Sequence, residues 1–254
     1  MCLFAVDGTW SLNFNAEALG EDVSGRPVGT LESGRSNTRR FYEECAYTDN
    51  KKFYFAGPGG DGDTMLGATG NDSYQLYFSV LRAIEREVNS GNCEEIVMVG
   101  WSRGAAIISE LTEGLTSLRE TNSRRDPYQT QRGRRFRTLN NVIKDGELPP
   151  IKYVGLFDSV AMIQAASPVD RDWAEDIDTV KYFAHVVAGD RTMAQKGFIR
   201  INFTQPNPNV DADRSEIKLM ANTTHGGVGG LDDTESAREA YDFIRNHATI
   251  AGVP

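Results

Sequence analysis

The stretch that most restricts this chain is Ile96-Val97-Met98-Val99-Gly100-Trp101-Ser102-Arg103-Gly104, followed by Ala105, Ala106, Ile107, Ile108 and Leu111. Four consecutive apolar residues read as a strand covered on both faces, and the small and aliphatic residues beyond Gly104 read as a helix. Between them, Gly-x-Ser-x-Gly matches a strand–turn–helix signature in which a tight turn pushes a serine hydroxyl out at the carboxyl end of a sheet. Glycines on either side of the serine leave room for the strand and helix to approach closely. The bare string occurs by chance in many sequences, and it is the strand before it and the helix after it that give it structural meaning.

The rest of the chain repeats that rhythm. Leu3 to Val6 is a short apolar run stopped by Asp7-Gly8-Thr9, and Lys52 to Ala56 is a second strand candidate that enters the glycine-rich loop Gly57 to Asp63. Tyr77, Val80, Leu81, Ile84 and Val88 form a helical stripe between the capping candidates Asn71 to Ser73 and Gly91. Tyr153 to Phe157 is a strand ending at Asp158. Ile217 to Met220 is another, running into Asn222-Thr223-Thr224-His225-Gly226-Gly227. Ala237, Ala240, Tyr241 and Ile244 predict a last helix capped by Asp233 or Thr234. Val180 to Val187 reads equally as helix or strand. Strands separated by helices imply an α/β fold: one domain over residues 1–254, a mostly parallel central sheet and helices on both faces. Residues 119–150 differ in composition, with Arg119, Arg124, Arg125, Arg132, Arg134, Arg135 and Arg137 closed by Pro149-Pro150. They read as an insertion on the domain, either a solvated loop or a cap that attracts anionic groups.

Composition excludes several classes. A net charge of -9 repels nucleic-acid phosphate and disfavours a polynucleotide partner. Three scattered cysteines, Cys2, Cys45 and Cys93, suit reduced thiols rather than a disulfide framework or zinc cluster, and point to synthesis in a reducing cytoplasm. No run approaches a membrane span, and the N-terminus carries no cleavable signal pattern, so export would use a route that does not read one.

A serine hydroxyl needs a base to take its proton during attack. Of three histidines, His185 lies in an apolar run and His247 near the end of the last helix, while His225 occupies a glycine-flanked loop after a late strand. That loop falls at the same sheet edge as Ser102, where open α/β sheets build their sites. An imidazole in this role needs a carboxylate to hold its tautomer. Asp158 ends a strand and completes the chain order serine, acid, histidine; a helix N-cap is its structural alternative, and Asp190 the reserve acid. An oxyanion formed at a carbonyl would be held by backbone N–H groups, one from Arg103 after the serine and a second from Gly8-Thr9, with Asp7 bracing that loop. Such a site needs neither cofactor nor metal.

Together these residues resemble one family, the α/β-hydrolase domain of type VI secretion phospholipase effectors. The matches are Val6-Asp7-Gly8-Thr9-Trp10, Ser36-Asn37-Thr38 before a helix, Gly100 to Ala105, Val154-Gly155-Leu156-Phe157-Asp158-Ser159-Val160, Gly189-Asp190-Arg191, and His225 ahead of Gly226-Gly227-Val228-Gly229-Gly230. They run in the family's order over nearly the whole chain. The resemblance implies an α/β-hydrolase fold, hydrolysis of lipid esters, and catalytic roles for Ser102, Asp158 and His225. Two departures qualify it. The family usually has a polar residue and an aspartate after the histidine, where Gly226 and Gly227 stand here. Larger members also carry further segments that engage membranes, whereas here a single helix follows His225. A compact enzyme acting on small soluble or dispersed esters is an equal expectation.

Other readings fit the residues less well. Asp7-Gly8-Thr9 is similar to the loop of aspartyl-nucleophile phosphatases, but the aspartate they need two residues earlier is Ala5. The loop Gly57 to Gly70 lacks the Gly-Lys-Ser/Thr ending of a phosphate cradle, and Asp61 and Asp63 alone are a weak cation site. Beside the ester hydrolase stand an amide or thioester hydrolase with the same triad, and a catalytically silent domain that keeps the pocket to bind a partner.

Overall fold

The computed structural model describes residues 1–9, 35–58, 71–121, 149–161, 180–189, 199–200, 215–231 and 234–254. In chain order the elements are β1 Cys2–Val6, α1 Asn37–Glu44, β2 Lys52–Phe55, α2 Asn71–Asn89, β3 Ile96–Trp101, α3 Arg103–Thr121, β4 Ile151–Phe157, β5 Val160–Ala161, β6 Tyr182–Ala188, β7 Ile199–Arg200, β8 Ser215–Met220, α4 His225–Gly229 and α5 Thr234–Ile250. Six strands form one sheet in the order β2-β1-β3-β4-β6-β8, and β5 pairs with β7 in a separate antiparallel ribbon. Every pairing in the six-stranded sheet is parallel. The fold is therefore α/β, with the mostly parallel central sheet that the sequence predicts and the strand–turn–helix unit around Ser102 within it.

The apolar runs are continuous because both faces of the inner strands are covered. Phe4, Val6, Met98, Val154 and Leu156 face Ile84 of α2 and Ile107, Ile108 and Leu111 of α3. Their alternates Leu3, Val97, Val99, Tyr153, Phe157 and Val186 face Phe41 of α1 and Ala240, Tyr241 and Ile244 of α5. Each of the larger aliphatic and aromatic side chains contributes about 1.5–3 kcal/mol on full burial. At the edge, β8 alternates less, and Leu219 is exposed.

Val180 to Val187, for which the sequence allows helix or strand, is strand β6 from Tyr182, paired with β4 on one side and β8 on the other. Helix α2 starts at Asn71, so the expected capping residues lie inside its first turn. Helix α3 runs to Thr121 and takes in Arg119; residues 122–148, which hold the remaining arginines, lie outside the described residues. So do Asp61, Asp63 and Asp190. No described helix is long and apolar enough to cross a membrane.

Strand order sets where a site can form. β1 has β2 on one side and β3 on the other, so the winding of the chain reverses between β1 and β3. In an open parallel sheet, ligands bind outside the carboxyl ends of the strands at such a reversal. The residues leaving β1 there are Asp7 and Gly8, and the residue leaving β3 is Ser102.

Candidate active site

Ser102 alone makes the turn between β3 and α3, at φ +57°, in the left-handed region that costs a non-glycine residue about 1–3 kcal/mol. Backbone bonds hold it there. Its N–H donates to the Phe157 carbonyl at 2.9 Å, and its carbonyl accepts from Ala106 N at 3.2 Å and Val160 N at 3.3 Å. The flanking glycines are steric requirements. A Cβ on Gly100 would lie 2.8 Å from the backbone of Ala105, and one on Gly104 would run into the carbonyl oxygens of Val6 and Asp7.

Asp158 leaves β4 next door. It has φ +39° and is fully buried; its N–H donates to the Val186 carbonyl at 2.7 Å. Two residues on, the chain enters β5, so Asp158 caps no helix. Its Oδ1 accepts from the Ala188 N–H at 3.1 Å. Its Oδ2 lies 2.6 Å from Nδ1 of His225.

His225 is the first residue of the short helix α4 rather than part of an open loop. Thr224 caps that helix, its hydroxyl accepting from Gly227 N at 2.9 Å, and Gly230 ends it at φ +92°. Nε2 of His225 lies 2.8 Å from the Ser102 hydroxyl oxygen. Because the ring nitrogen facing a carboxylate carries the proton, Nδ1 donates to Asp158 and Nε2 is left to accept from Ser102. Residues 67 and 123 positions apart thus form one hydrogen-bonded chain at the carboxyl rim of the sheet.

The other two histidines stand apart from it. His185 is buried in β6, its Nε2 accepting from Ser159 N at 3.1 Å, and His247 on α5 meets Glu216 at 3.0 Å.

Arg103 opens α3, where an N–H has no acceptor one turn back in its own helix and the helix dipole favours negative charge. In the loop after β1, Oδ1 of Asp7 accepts from Gly8 N at 2.8 Å, so of the expected Gly8-Thr9 pair the Gly8 amide is engaged within the loop itself. Oδ2 of Asp7 accepts from the Ser36 hydroxyl and, at 2.6 Å, from the Tyr54 hydroxyl. Burial first, and the neighbouring Asp7 carboxylate second, push the Tyr54 hydroxyl far above the ordinary phenol range, so it stays a donor. Asp7 braces the loop by gathering β1, β2 and the N-cap of α1; nothing in the sequence signals either Tyr54 or the Ser36 contact. Asn37 adds a second tie, donating to the carbonyls of Val228 at 2.9 Å and Ala237 at 2.8 Å.

Trp101 is a further residue that the sequence does not mark, although it sits inside the motif. Its indole stacks on the His225 imidazole, with centroids 5.4 Å apart and planes 29° from parallel. A Cβ on Gly8 would lie 2.5 Å from Cε3 of that ring, and one on Gly229 would overlap its Cε2, Cζ2 and Nε1 atoms.

No protein-family model matches the chain, and no curated protein matches it significantly. Among solved structures it is similar to an uncharacterized protein from Pseudomonas aeruginosa, with a TM-score of 0.51 and 15% identity, over 100% of this chain and 46% of that one. It is also similar to the Tle1 effector, solved bound to the VgrG spike of the type 6 secretion system, with a TM-score of 0.48 and 14% identity, over 91% of this chain and 51% of the effector. The chain therefore spans about half the length of each. At such identities the first likeness extends to the fold and no further.

Proposed function

We propose that the protein is a serine hydrolase that cleaves carboxylic esters through an acyl-enzyme. The observation that supports this most is the unbroken chain from Asp158 to His225 to Ser102, at 2.6 and 2.8 Å, beside a strained serine at the opening of a helix. Ser102 Oγ attacks the carbonyl carbon while its proton passes to Nε2 of His225. Asp158 holds Nδ1–H and stabilises the imidazolium that forms. The oxyanion lies against the N–H groups of Arg103 and Thr9, where one such donor is worth about 3 kcal/mol in the transition state. As the tetrahedral intermediate collapses, Nε2 returns the proton to the departing alcohol. Water then repeats the sequence on the acyl-serine and releases the acid.

The sequence resemblance to phospholipase effectors favours lipid esters, while the same triad chemistry serves smaller soluble or dispersed esters equally. Assays on nitrophenyl esters of graded acyl length and on phospholipid vesicles separate these. Ester turnover abolished by Ser102→Ala is the expected result. A folded wild-type protein that hydrolyses none of these esters, or a Ser102→Ala variant as active as wild type, would overturn the proposal.

A further inference from the structure

We infer that Trp101 is the positioning residue of this site: its indole face fixes the imidazole of His225 against Ser102 and favours the imidazolium that forms during catalysis. The inference rests on the ester-hydrolase reading of Ser102, Asp158 and His225. Three observations carry it. The rings are stacked, with centroids 5.4 Å apart and planes 29° from parallel, so the imidazole and indole meet in an offset-stacked rather than an edge-to-face arrangement. Trp101 is 4% exposed, which removes most competing water from that contact. The ring is also clamped, because Gly8 and Gly229 approach it so closely that neither position has room for a side chain.

The clamp brings three separate parts of the site to one ring. Gly8 belongs to the loop that offers Thr9 as an oxyanion donor, Gly229 closes the helix that His225 opens, and Trp101 is covalently next to Ser102. His225 sits on a helix of five residues whose residues Gly226 and Gly227 supply no side chain to brace an imidazole. Two hydrogen bonds fix two points of the imidazole, and rotation about the line joining them is limited by whatever lies against its face. The Trp101 indole is stacked against that face. An aromatic face also attracts a cation above it, and the attraction is larger where water is excluded. In the proposed attack the imidazole takes the Ser102 proton and so gains charge on the way to the transition state, where this contact strengthens and acts on kcat more than on KM.

The test compares Trp101→Phe with Trp101→Leu. Both side chains are smaller than indole and similar to each other in apolar burial, but only phenylalanine keeps a π face. Expected is a kcat for the leucine variant lower than that of the phenylalanine variant by on the order of tenfold, with KM and thermal midpoint matched between the two. NMR of the imidazole C–H protons supplies a readout that is independent of turnover: the upfield ring-current shift of wild type is retained with phenylalanine and lost with leucine. Equal kcat in the two variants, or imidazole resonances unaffected by Trp101→Leu, would overturn the inference. A Ser102→Ala variant that retains activity would overturn the hydrolase reading instead, so the two failures are distinct.

Discussion

Replacing Asp158 by asparagine tests the relay by changing one atom. Asp158 serves two donors whose positions are fixed separately: the Ala188 N–H on Oδ1 at 3.1 Å and the His225 Nδ1–H on Oδ2 at 2.6 Å. The Ala188 donor belongs to the backbone of β6 and cannot rotate, so the asparagine carbonyl must face it. The amide NH2 then points at Nδ1 of His225, which has to become an acceptor. That forces the proton onto Nε2, aimed at the Ser102 hydroxyl, where it blocks proton transfer. Where a triad carboxylate has been changed in this way, kcat falls about ten-thousandfold, which is about 5 kcal/mol in the barrier. Stability should change little, because shape is kept and the buried Ala188 N–H retains an acceptor. Steady-state ester hydrolysis and urea unfolding of Asp158→Asn measure the two effects. A variant within tenfold of wild type would refute the tautomer argument, as would a loss that merely tracks unfolding.

Two further outcomes follow from the surroundings of the site. Asp7→Ala leaves three buried or half-buried donors, Gly8 N–H, Ser36 and Tyr54, without their acceptor, at about 1–3 kcal/mol each. It should lower the unfolding free energy well beyond Tyr54→Phe, and equal losses in urea would contradict the hub role of Asp7. At the far end of the sheet, burial alone would raise the Glu95 carboxyl, but hydrogen bonds and charge from Lys152 at 2.9 Å and Lys181 at 3.2 Å hold it below the usual range. A depressed value in the folded state gives stability that is present above the unfolded carboxylate value and lost as pH falls through the folded one. Glu95→Gln should therefore lower stability near neutral pH, and its deficit should shrink on acidification. A deficit independent of pH would remove that assignment.

How much of this is legible in the sequence depends on whether the signal is local. The strand, turn and helix around Ser102 are contiguous, and Gly100 reports a steric need that this one segment contains, whereas Gly104 makes room for Val6 and Asp7 at the end of β1. Asp158 and His225 are readable because parallel strands send their carboxyl ends to one rim, so being the residue after a strand carries spatial meaning. The sequence places His225 in a loop because the helix it opens has five residues, too short for any periodicity to emerge. Val180 to Val187 is ambiguous for the opposite reason: it is covered on both faces by neighbours that only the fold supplies. The Tyr54–Asp7 bond joins positions 47 residues apart, one on β2 and the other just past the end of its neighbour β1. No local pattern encodes that register, and the engagement of the Gly8 amide by Asp7 is hidden with it.

The central claim is that Ser102 is activated by His225, and an organophosphorus ester that traps activated serines tests it whatever the natural substrate is. Intact mass and peptide mapping after treatment with a fluorophosphonate should show one adduct per chain, on Ser102, absent from Ser102→Ala and formed far more slowly in His225→Ala. A folded protein that takes up no adduct, or takes it up at another residue, would contradict the account.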